Sequence, residues 1–481
     1  MALNHEATIR EWQEAMEAGR TTSRELTLLF LQRIAQYDKQ GAAINAISEI
    51  NPDALHIAEA LDRERTGKGS RGPLHGIPVL LKDNIATKDQ MHTTAGSLAL
   101  ADSYASADSF VASKLREAGA VILGKTNLTE WANYMSEHMP NGYSSRGGQV
   151  RNPYGPGVFD VGGSSSGSGA AIAAGFAVVA VGTETSGSIL NPSFRNSLVG
   201  IKPTVGLISR RGIIPISTSQ DTAGPMARCV EDAAILLGVL AGCDELDPVT
   251  GKSVGLAHSD YRPYLDASGL KGARIGIVRS RYLDKYEEEE KALYEAAVAQ
   301  LKQAGATLVD PVSIPSEHVE WGPNVLLHEF KSGVNAYLKT LPASYPIRTL
   351  ADVIAFNREH PEQALRFGQV LLERSNATSG TLTEAAYLNQ RAFDLEMSRE
   401  KGIDAVLREH DLDCLLFPGS EGYGIAARAG YPSVAVPAGY TSTGKPFGVV
   451  FTGTAFSEPT LIRSAYAYEQ ASRLRVPPRL G

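Results

Sequence analysis

The sequence predicts an α/β fold: a single large domain with a mixed, twisted β-sheet core, helices on both of its faces and a helical insertion. Three observations carry that expectation. Short apolar strand candidates recur from residue 77 to residue 451, separated by segments of helical periodicity. The strands spread from one end of the chain to the other, and no repeat of fixed period divides them. Between residues 318 and 410 the strand signals give way to helical patterns.

Composition bounds the classes of function. The chain has 481 residues, 43% hydrophobic and 21% charged, as expected of a folded globular protein. A net charge of −7 and the absence of any Lys/Arg-rich run exclude a phosphate-tracking nucleic-acid binder. Three cysteines, Cys229, Cys243 and Cys414, make no disulfide framework and lack metal-ligand spacing. Cys229 and Cys243 read as small core residues in helix-like surroundings. The N-terminus, MALNHEATIREWQEAM, lacks the apolar stretch of a signal peptide, and no apolar run reaches the roughly 20 residues of a membrane helix. The expectation is a cytoplasmic protein without membrane or nucleic-acid partners, either a monomer or a homodimer.

The first 70 residues read as peripheral helices. Ile9, Trp12 and Met16 have helical spacing before Gly19. Thr22-Ser23-Arg24-Glu25 is a capping box, opening a helix with Leu26, Leu29, Phe30 and Ile34 on one face. Residues 52–65 make a third helix. The segment 76–240 holds the motifs of chemical interest. Gly76-Ile77-Pro78-Val79-Leu80-Leu81-Lys82 is a short strand ending on a lysine, and residues 108–127 read as helix then strand over Ala120–Leu123. Next come a small-residue helix, Gly169–Gly175, and a strand, Phe176–Val181. Val205–Ile214 suggests short strands or a hairpin, and Cys229–Ala241 an apolar helix. The polar stretch 244–270 is a linker or a crossover. Ala273–Val278, Tyr286–Gly305 and Thr307–Val312 make a βαβ unit. After the helical insertion, residues 411–481 close the domain with strands Leu412–Phe417, Ser433–Pro437 and Phe447–Phe451 and a helix over Pro459–Leu474.

Two motif matches fail on their physics. Gly119 to Thr126 fits a phosphate-binding loop literally, but the apolar strand Ala120–Leu123 fills the stretch that must be open backbone. Gly163-Ser164-Ser165-Ser166-Gly167 fits a nucleophile elbow, but the loop Arg151–Gly157 precedes it where a buried strand is required. None of His258, His318, His328, His360 and His410 has a setting that marks it as the base of a serine triad. A third reading uses two Gly/Ser turns and a lysine. One turn is Gly162–Gly167 and the other Thr185-Ser186-Gly187-Ser188. A serine attacking a carbonyl must lose its proton. Without a histidine the base can be a lysine whose pKa is depressed by burial, with a second serine as relay. Backbone N–H groups beside the nucleophile would form the oxyanion hole. Read alone, Lys82 is more readily a solvated strand end, and either turn more readily a tight structural connection.

The segments GIPVLLKDN, GGSSSGSGAAIAAG, GTETSGSILNPS, VGIKPTVGLIS and DTAGPMAR stand in the order found in the amidase signature hydrolases, and GYPSVAVPAGYTSTGKPFGVVFTG resembles that family's C-terminal strands. The chain is similar to the family over most of its length. The resemblance implies the amidase signature fold and a Ser–cis-Ser–Lys triad. Ser188 falls on the nucleophile, Ser164 on the cis-serine and Lys82 on the base. The amides of Thr185, Ser186, Gly187 and Ser188 fall on the oxyanion hole. Ser165 and Ser166 are expected to support the first turn by hydrogen bonds. The family's chemistry implies no cofactor and no metal.

Three residues depart from the family's commonest pattern, GTDTGGSIRxPA. Glu184 replaces the aspartate, Ser186 a glycine and Leu190 the arginine, so the local salt-bridge arrangement must differ. GTETSGS, LLHEFKSGVNAYL, LADVIAFN and GTAFSEPTLIRSAYAYEQ resemble the peptide amidase branch, which implies a small-molecule or peptide amide as substrate. The A-type chain of the aminoacyl-tRNA amidotransferases, which works in a complex, is a weaker match. Pocket walls are expected from the insertion around 318–400 and from loops near 131–145 and 418–430. Trp131, Tyr134 and Met135 read as core in preference to pocket.

Overall fold

Apolar segments pair into one eleven-stranded sheet, and the sheet explains why so many of them are apolar throughout. The computed structural model describes residues 4–481. Its strands are β1 (Ile47–Ile50), β2 (Pro78–Lys82), β3 (Val121–Thr126), β4 (Tyr143–Ser144), β5 (Gly148–Gln149), β6 (Val179–Glu184), β7 (Val199–Lys202), β8 (Thr222–Ala227), β9 (Arg274–Val278), β10 (Thr307–Val312), β11 (Cys414–Pro418), β12 (Ser433–Tyr440) and β13 (Pro446–Thr452). The large sheet runs β1-β3-β2-β6-β8-β7-β12-β13-β11-β9-β10, while β4 and β5 pair separately. Strands β3, β2 and β6 are mutually parallel, as are β11, β9 and β10; the pairings from β6 through β8, β7, β12 and β13 to β11 are antiparallel. Flanking helices cover the sheet, so β2, β3, β6, β8, β11 and β13 are buried at every residue, and all of these but β8 are predominantly apolar. The fold is a single large α/β domain with a mixed sheet.

The N-terminal capping boxes form as the sequence requires. Thr8 and Glu11 cap the helix Ile9–Glu17, and Thr22 and Glu25 cap the helix Ser23–Tyr37. The N-terminal region is not helical alone, however. β1 adds an edge strand antiparallel to β3, set by register from Ile47 opposite Thr126 to Ile50 opposite Gly124. Two further strands, β7 and β8, escape sequence reading because VGIK and TAGPMA carry Gly and Pro where a strand signal is sought. The expected hairpin over Val205–Ile214 does not form. Only isolated bridges occur there, because side chains and neighbouring backbone take its polar groups: the Arg210 amide donates to Asp247, and the Ile214 amide to the Asn84 carbonyl. Cys243 is exposed and not core, since it stands in the turn after the helix Val230–Leu240 ends; Cys229 is half-buried and Cys414 buried.

The helical insertion docks beside the C-terminal ends of β2 and β6. Phe330, Val334, Leu350 and Leu372 from the insertion share one apolar cluster with Trp131, Tyr134, Met135, Ile214 and Ile216. Trp131, Tyr134 and Met135 are therefore core. Among the described residues no helix is long and apolar enough to cross a membrane.

Leu81 is wholly buried in β2, one residue before Lys82. Replacing it by Ala should cost about 2–5 kcal/mol of stability, the range for deleting a buried leucine side chain. Urea unfolding measures this, and a loss well under 1 kcal/mol would contradict the packing described.

Candidate active site

Parallel strands β2 and β6 are neighbours, with Leu81 opposite Val181. That register brings their carboxyl ends together, the usual place for a site in an α/β sheet. Lys82 is the last residue of β2, and Thr183 and Glu184 are the last two of β6. Ser164 arrives from the loop ahead of the helix Ser166–Ala173, behind a cis Gly163–Ser164 peptide. The loop lies against the body of the domain: a Cβ on Gly167 would fall 2.2 Å from the Asn127 carbonyl oxygen, so only glycine fits. Ser165 and Ser166 anchor it. The Ser165 hydroxyl donates to the Thr183 carbonyl (3.0 Å) and accepts from the Thr183 amide (3.2 Å), and Ser166 donates to the Gly162 carbonyl (2.5 Å).

Lys82 and Ser164 are both 0% exposed, and Ser188 is 7% exposed. The buried amine has three contacts. Lys82 Nζ lies 2.7 Å from Ser164 Oγ, 2.9 Å from Thr183 Oγ1 and 3.3 Å from the Thr183 carbonyl oxygen. Asn84 Nδ2 also donates to Thr183 Oγ1, at 3.0 Å. No carboxylate touches the amine. Burial lowers the Lys82 pKa to about 7, opposed by the negative charges of Asp221 and Glu184.

The turn after β6 is held from within by Glu184. Its carboxylate accepts the amides of Gly187 (2.8 Å), Ile189 (2.7 Å) and Leu190 (2.9 Å), and Gly187 takes a φ of +88° that favours glycine. Among the described residues the amides of Thr185, Ser186 and Ser188 have no acceptor within the protein. Burial raises the Glu184 pKa, against the pull of those bonded amides and of Lys202. Leu190, which stands where the family pattern has arginine, is wholly buried and packs in an apolar cluster with Ala435 and Val450. An apolar contact replaces the charge, and backbone amides satisfy the carboxylate.

A second layer clamps the same turn from outside. The Thr185 hydroxyl donates to Asp221 Oδ1 (2.5 Å), and Gln220 Nε2 donates to the Thr185 carbonyl (3.2 Å). Asp221 Oδ2 accepts the amides of Ile216 and Ser217. Burial raises the Asp221 pKa to about 6. From the insertion, buried Glu329 accepts from the Ser217 and Ser219 hydroxyls, the Ser219 amide and the Tyr387 hydroxyl. Thr183, Asn84 and Glu329 fall within the segments GTETSGSILNPS, GIPVLLKDN and LLHEFKSGVNAYL, which carry the resemblance without giving these three a role. Asp221 opens the DTAGPMAR segment, which marks the stretch in the same way.

The 418–430 loop also reaches the site. The Tyr423 ring packs over Gly187, and Asn191 Nδ2 donates to Ser420 Oγ (3.1 Å). His258 and His360 are engaged by Tyr264 and the Phe356 carbonyl, and His318 and His328 lie beside Glu317 and Glu384.

At the carboxyl ends of β2 and β6 the fold thus places a buried amine beside a serine hydroxyl, next to a turn with unpartnered backbone amides and a second, slightly exposed serine. The family model described as Amidase matches residues 25–422, and the chain belongs to that family. It is a hydrolase of amide C–N bonds. A probable amidase of Arabidopsis thaliana is 44% identical, with 98% of this chain and 91% of the relative covered. The solved native peptide amidase of Stenotrophomonas maltophilia superposes with a TM-score of 0.94 at 48% identity, covering 99% of both chains. The A-type chain of the glutamyl-tRNA(Gln) amidotransferase of Thermotoga maritima superposes at 0.73 with 25% identity, covering 100% of this chain and 99% of the other.

Glu184→Ala removes the acceptor of three buried amides. It should cost about 1–3 kcal/mol of stability and lower turnover more than it changes KM. Thermal unfolding and steady-state kinetics check both, and wild-type turnover in the variant would show that the turn does not depend on Glu184.

Proposed function

We propose that the protein releases ammonia from a carboxamide, with the C-terminal amide of a peptide as substrate class, through Ser188 as nucleophile, Ser164 as relay and Lys82 as base. One observation carries the reading: a fully buried Lys82 amine 2.7 Å from Ser164 Oγ, with a pKa lowered to about 7. A neutral amine has two hydrogens and one lone pair. The two Thr183 oxygens accept the hydrogens, which leaves the lone pair for the Ser164 hydroxyl.

As Ser188 Oγ attacks the amide carbon, its proton passes to Ser164 and the Ser164 proton to Lys82. The amides of Thr185, Ser186 and Ser188 receive the oxyanion. The family resemblance adds the Gly187 amide to that set; here it donates to Glu184, and Gly187 contributes the turn's backbone conformation instead. Lys82 returns the proton through Ser164 to the leaving nitrogen, and the C–N bond breaks to give ammonia and the acyl-enzyme ester. Water attacks that ester and gives its proton to the same relay. The Ser188 oxygen takes the proton back as the acid leaves, so the protein ends each turnover unchanged. Similarity to peptide amidase over the whole chain, with a TM-score of 0.94 against 0.73 for the amidotransferase chain, favours a hydrolase working alone.

Ammonia release from a panel of peptide, aryl and aliphatic amides tests the substrate class, and peptide amides should be turned over best. Ser188→Ala and Lys82→Ala should each lose at least about 10³-fold in kcat. Retained activity in either variant would contradict the assignment.

The base must be neutral to accept a proton, so kcat/KM should rise with pH through about 7. Asp221→Asn removes a negative charge that favours protonated Lys82, and the acid limb should move to lower pH. A pH–rate profile of the variant measures this; an upward shift would contradict the sign.

A further inference from the structure

Two glycines clear the face of the sheet beneath the turn that carries Ser188. A Cβ on Gly200 of β7 would fall 3.1 Å from Ile189 Cγ2, and one on Gly224 of β8 would fall 3.0 Å from Ile189 Cδ1. Ile189 of the turn therefore lies directly over both. Side chains two positions apart on a strand share a face, so Lys202, the last residue of β7, stands on the same face as Gly200. On β6, Gly182 lies opposite Gly224, and Glu184 shares that face two positions further on. β8 alone separates β6 from β7, which puts the strands of Glu184 and Lys202 about 10 Å apart at the usual strand spacing. The segment VGIKPTVGLIS carries Lys202 without giving it a role.

Lys202 is a second wholly buried amine, and its surroundings differ from those of Lys82. Its Nζ donates to the Tyr431 carbonyl. Two buried carboxylates face it: Glu184, and Glu458 at the start of the closing helix, whose Oε1 accepts the Thr204 amide at 2.6 Å. Among the described residues no ion pair joins Lys202 directly to either, so its charge acts across the cleared face and not through a contact. Burial lowers the Lys202 pKa to about 8, opposed first by Glu184 and then by Glu458, which leaves the amine mostly charged at neutral pH. In return, Lys202 is the cation that opposes the rise burial imposes on Glu184. A neutral Glu184 would turn one of its two oxygens into a donor, and at least one of the amides of Gly187, Ile189 and Leu190 would lose its acceptor.

We infer that Lys202 is a positioning residue for the reaction: its charge keeps Glu184 an anion, and through Glu184 it holds the turn that presents Ser188 and the unpartnered amides. The inference rests on the mechanism proposed above, in which that turn supplies the nucleophile and the oxyanion hole. Lys202 touches neither substrate nor reacting atoms. The two buried lysines thus take opposite parts. Lys82, with no carboxylate facing it as closely as its serine, accepts protons, whereas Lys202, set between two carboxylates, keeps its own.

A double-mutant cycle on the full chain tests this, with a peptide amide as substrate. Lys202→Met should lower kcat about tenfold or more while KM stays within about twofold, and in the Glu184→Gln background the same substitution should cost less than about twofold. A pH–rate profile adds a readout that packing alone does not move. Lys82 is faced by Asp221 and Glu184, Glu184 also by Lys202 and Tyr423, and Lys202 by Glu184 and Glu458. Neutralising Glu184 removes a negative charge that favours protonated Lys82, so the acid limb of kcat/KM should move to lower pH in Lys202→Met and stay in place when the substitution is added to Glu184→Gln. Equal losses in both backgrounds, an unchanged kcat, or an acid limb that does not move would overturn the inference. Should Lys202→Met not fold, Lys202→Met/Glu458→Gln removes the second carboxylate's charge and should fold with the same loss of kcat; failure of that variant to fold would make Lys202 a requirement of the fold and also overturn the inference. Ser188→Ala separates the two readings: full activity there would refute the mechanism and this inference with it, whereas a failed cycle beside an inactive Ser188→Ala refutes the role of Lys202 alone.

Discussion

Burying an amine at the end of a strand is the constraint on which the rest of this site depends. Lys82 has no solvent exposure, and no carboxylate touches it. Water cannot stabilise its charge, and the two acidic charges that favour the protonated amine, Asp221 and Glu184, do so without touching it. The neutral amine is consequently accessible near neutral pH, where an exposed lysine would be almost wholly protonated. Everything around it is arranged to be compatible with that state. Thr183 offers two acceptors and no charge, Asn84 fixes the Thr183 hydroxyl, and Ser164 presents a hydroxyl to the remaining lone pair.

The turn that carries Ser188 is governed by a different pattern of hydrogen bonds. A carboxylate buried under the turn consumes three amides, at Gly187, Ile189 and Leu190, and thereby leaves those of Thr185, Ser186 and Ser188 without internal acceptors. Thr185 and Ser188 are buried and Ser186 half-buried, a setting in which backbone amides without protein partners are uncommon, and their presence beside Ser188 supports a role in receiving negative charge. The same carboxylate accounts for Leu190. With Glu184 satisfied by backbone, an arginine at 190 is unnecessary, and an aliphatic side chain fills the space. Glu329 extends the arrangement to the helical insertion, which holds the 215–221 segment that in turn clamps Thr185.

What the sequence discloses and what it conceals follow from locality. β2, β6 and β11 are legible because burial on both faces makes them apolar throughout. β7 and β8 are not, because their place in the sheet is fixed by partners far along the chain and not by their own Gly- and Pro-bearing residues. Lys82, Ser164 and Ser188 come from the family resemblance; periodicity alone leaves Lys82 an ordinary strand end. Thr183 lies 101 positions from Lys82 and meets it only through the β2–β6 register. The engagement of the Gly187 amide depends on the direction of one glutamate side chain, which no spacing encodes. Trp131, Tyr134 and Met135 are read correctly as core because their apolar character is a local property.

The central claim is that an ester on Ser188 lies between amide and acid. Rapid acid quenching during turnover of a peptide amide, followed by proteolysis and mass spectrometry, tests it most directly. The account predicts an acyl group on the peptide containing Ser188, absent after longer incubation and absent from Lys82→Ala. An acyl group on another residue, or sustained turnover with none trapped on any residue under conditions that quench the wild-type burst, would contradict it.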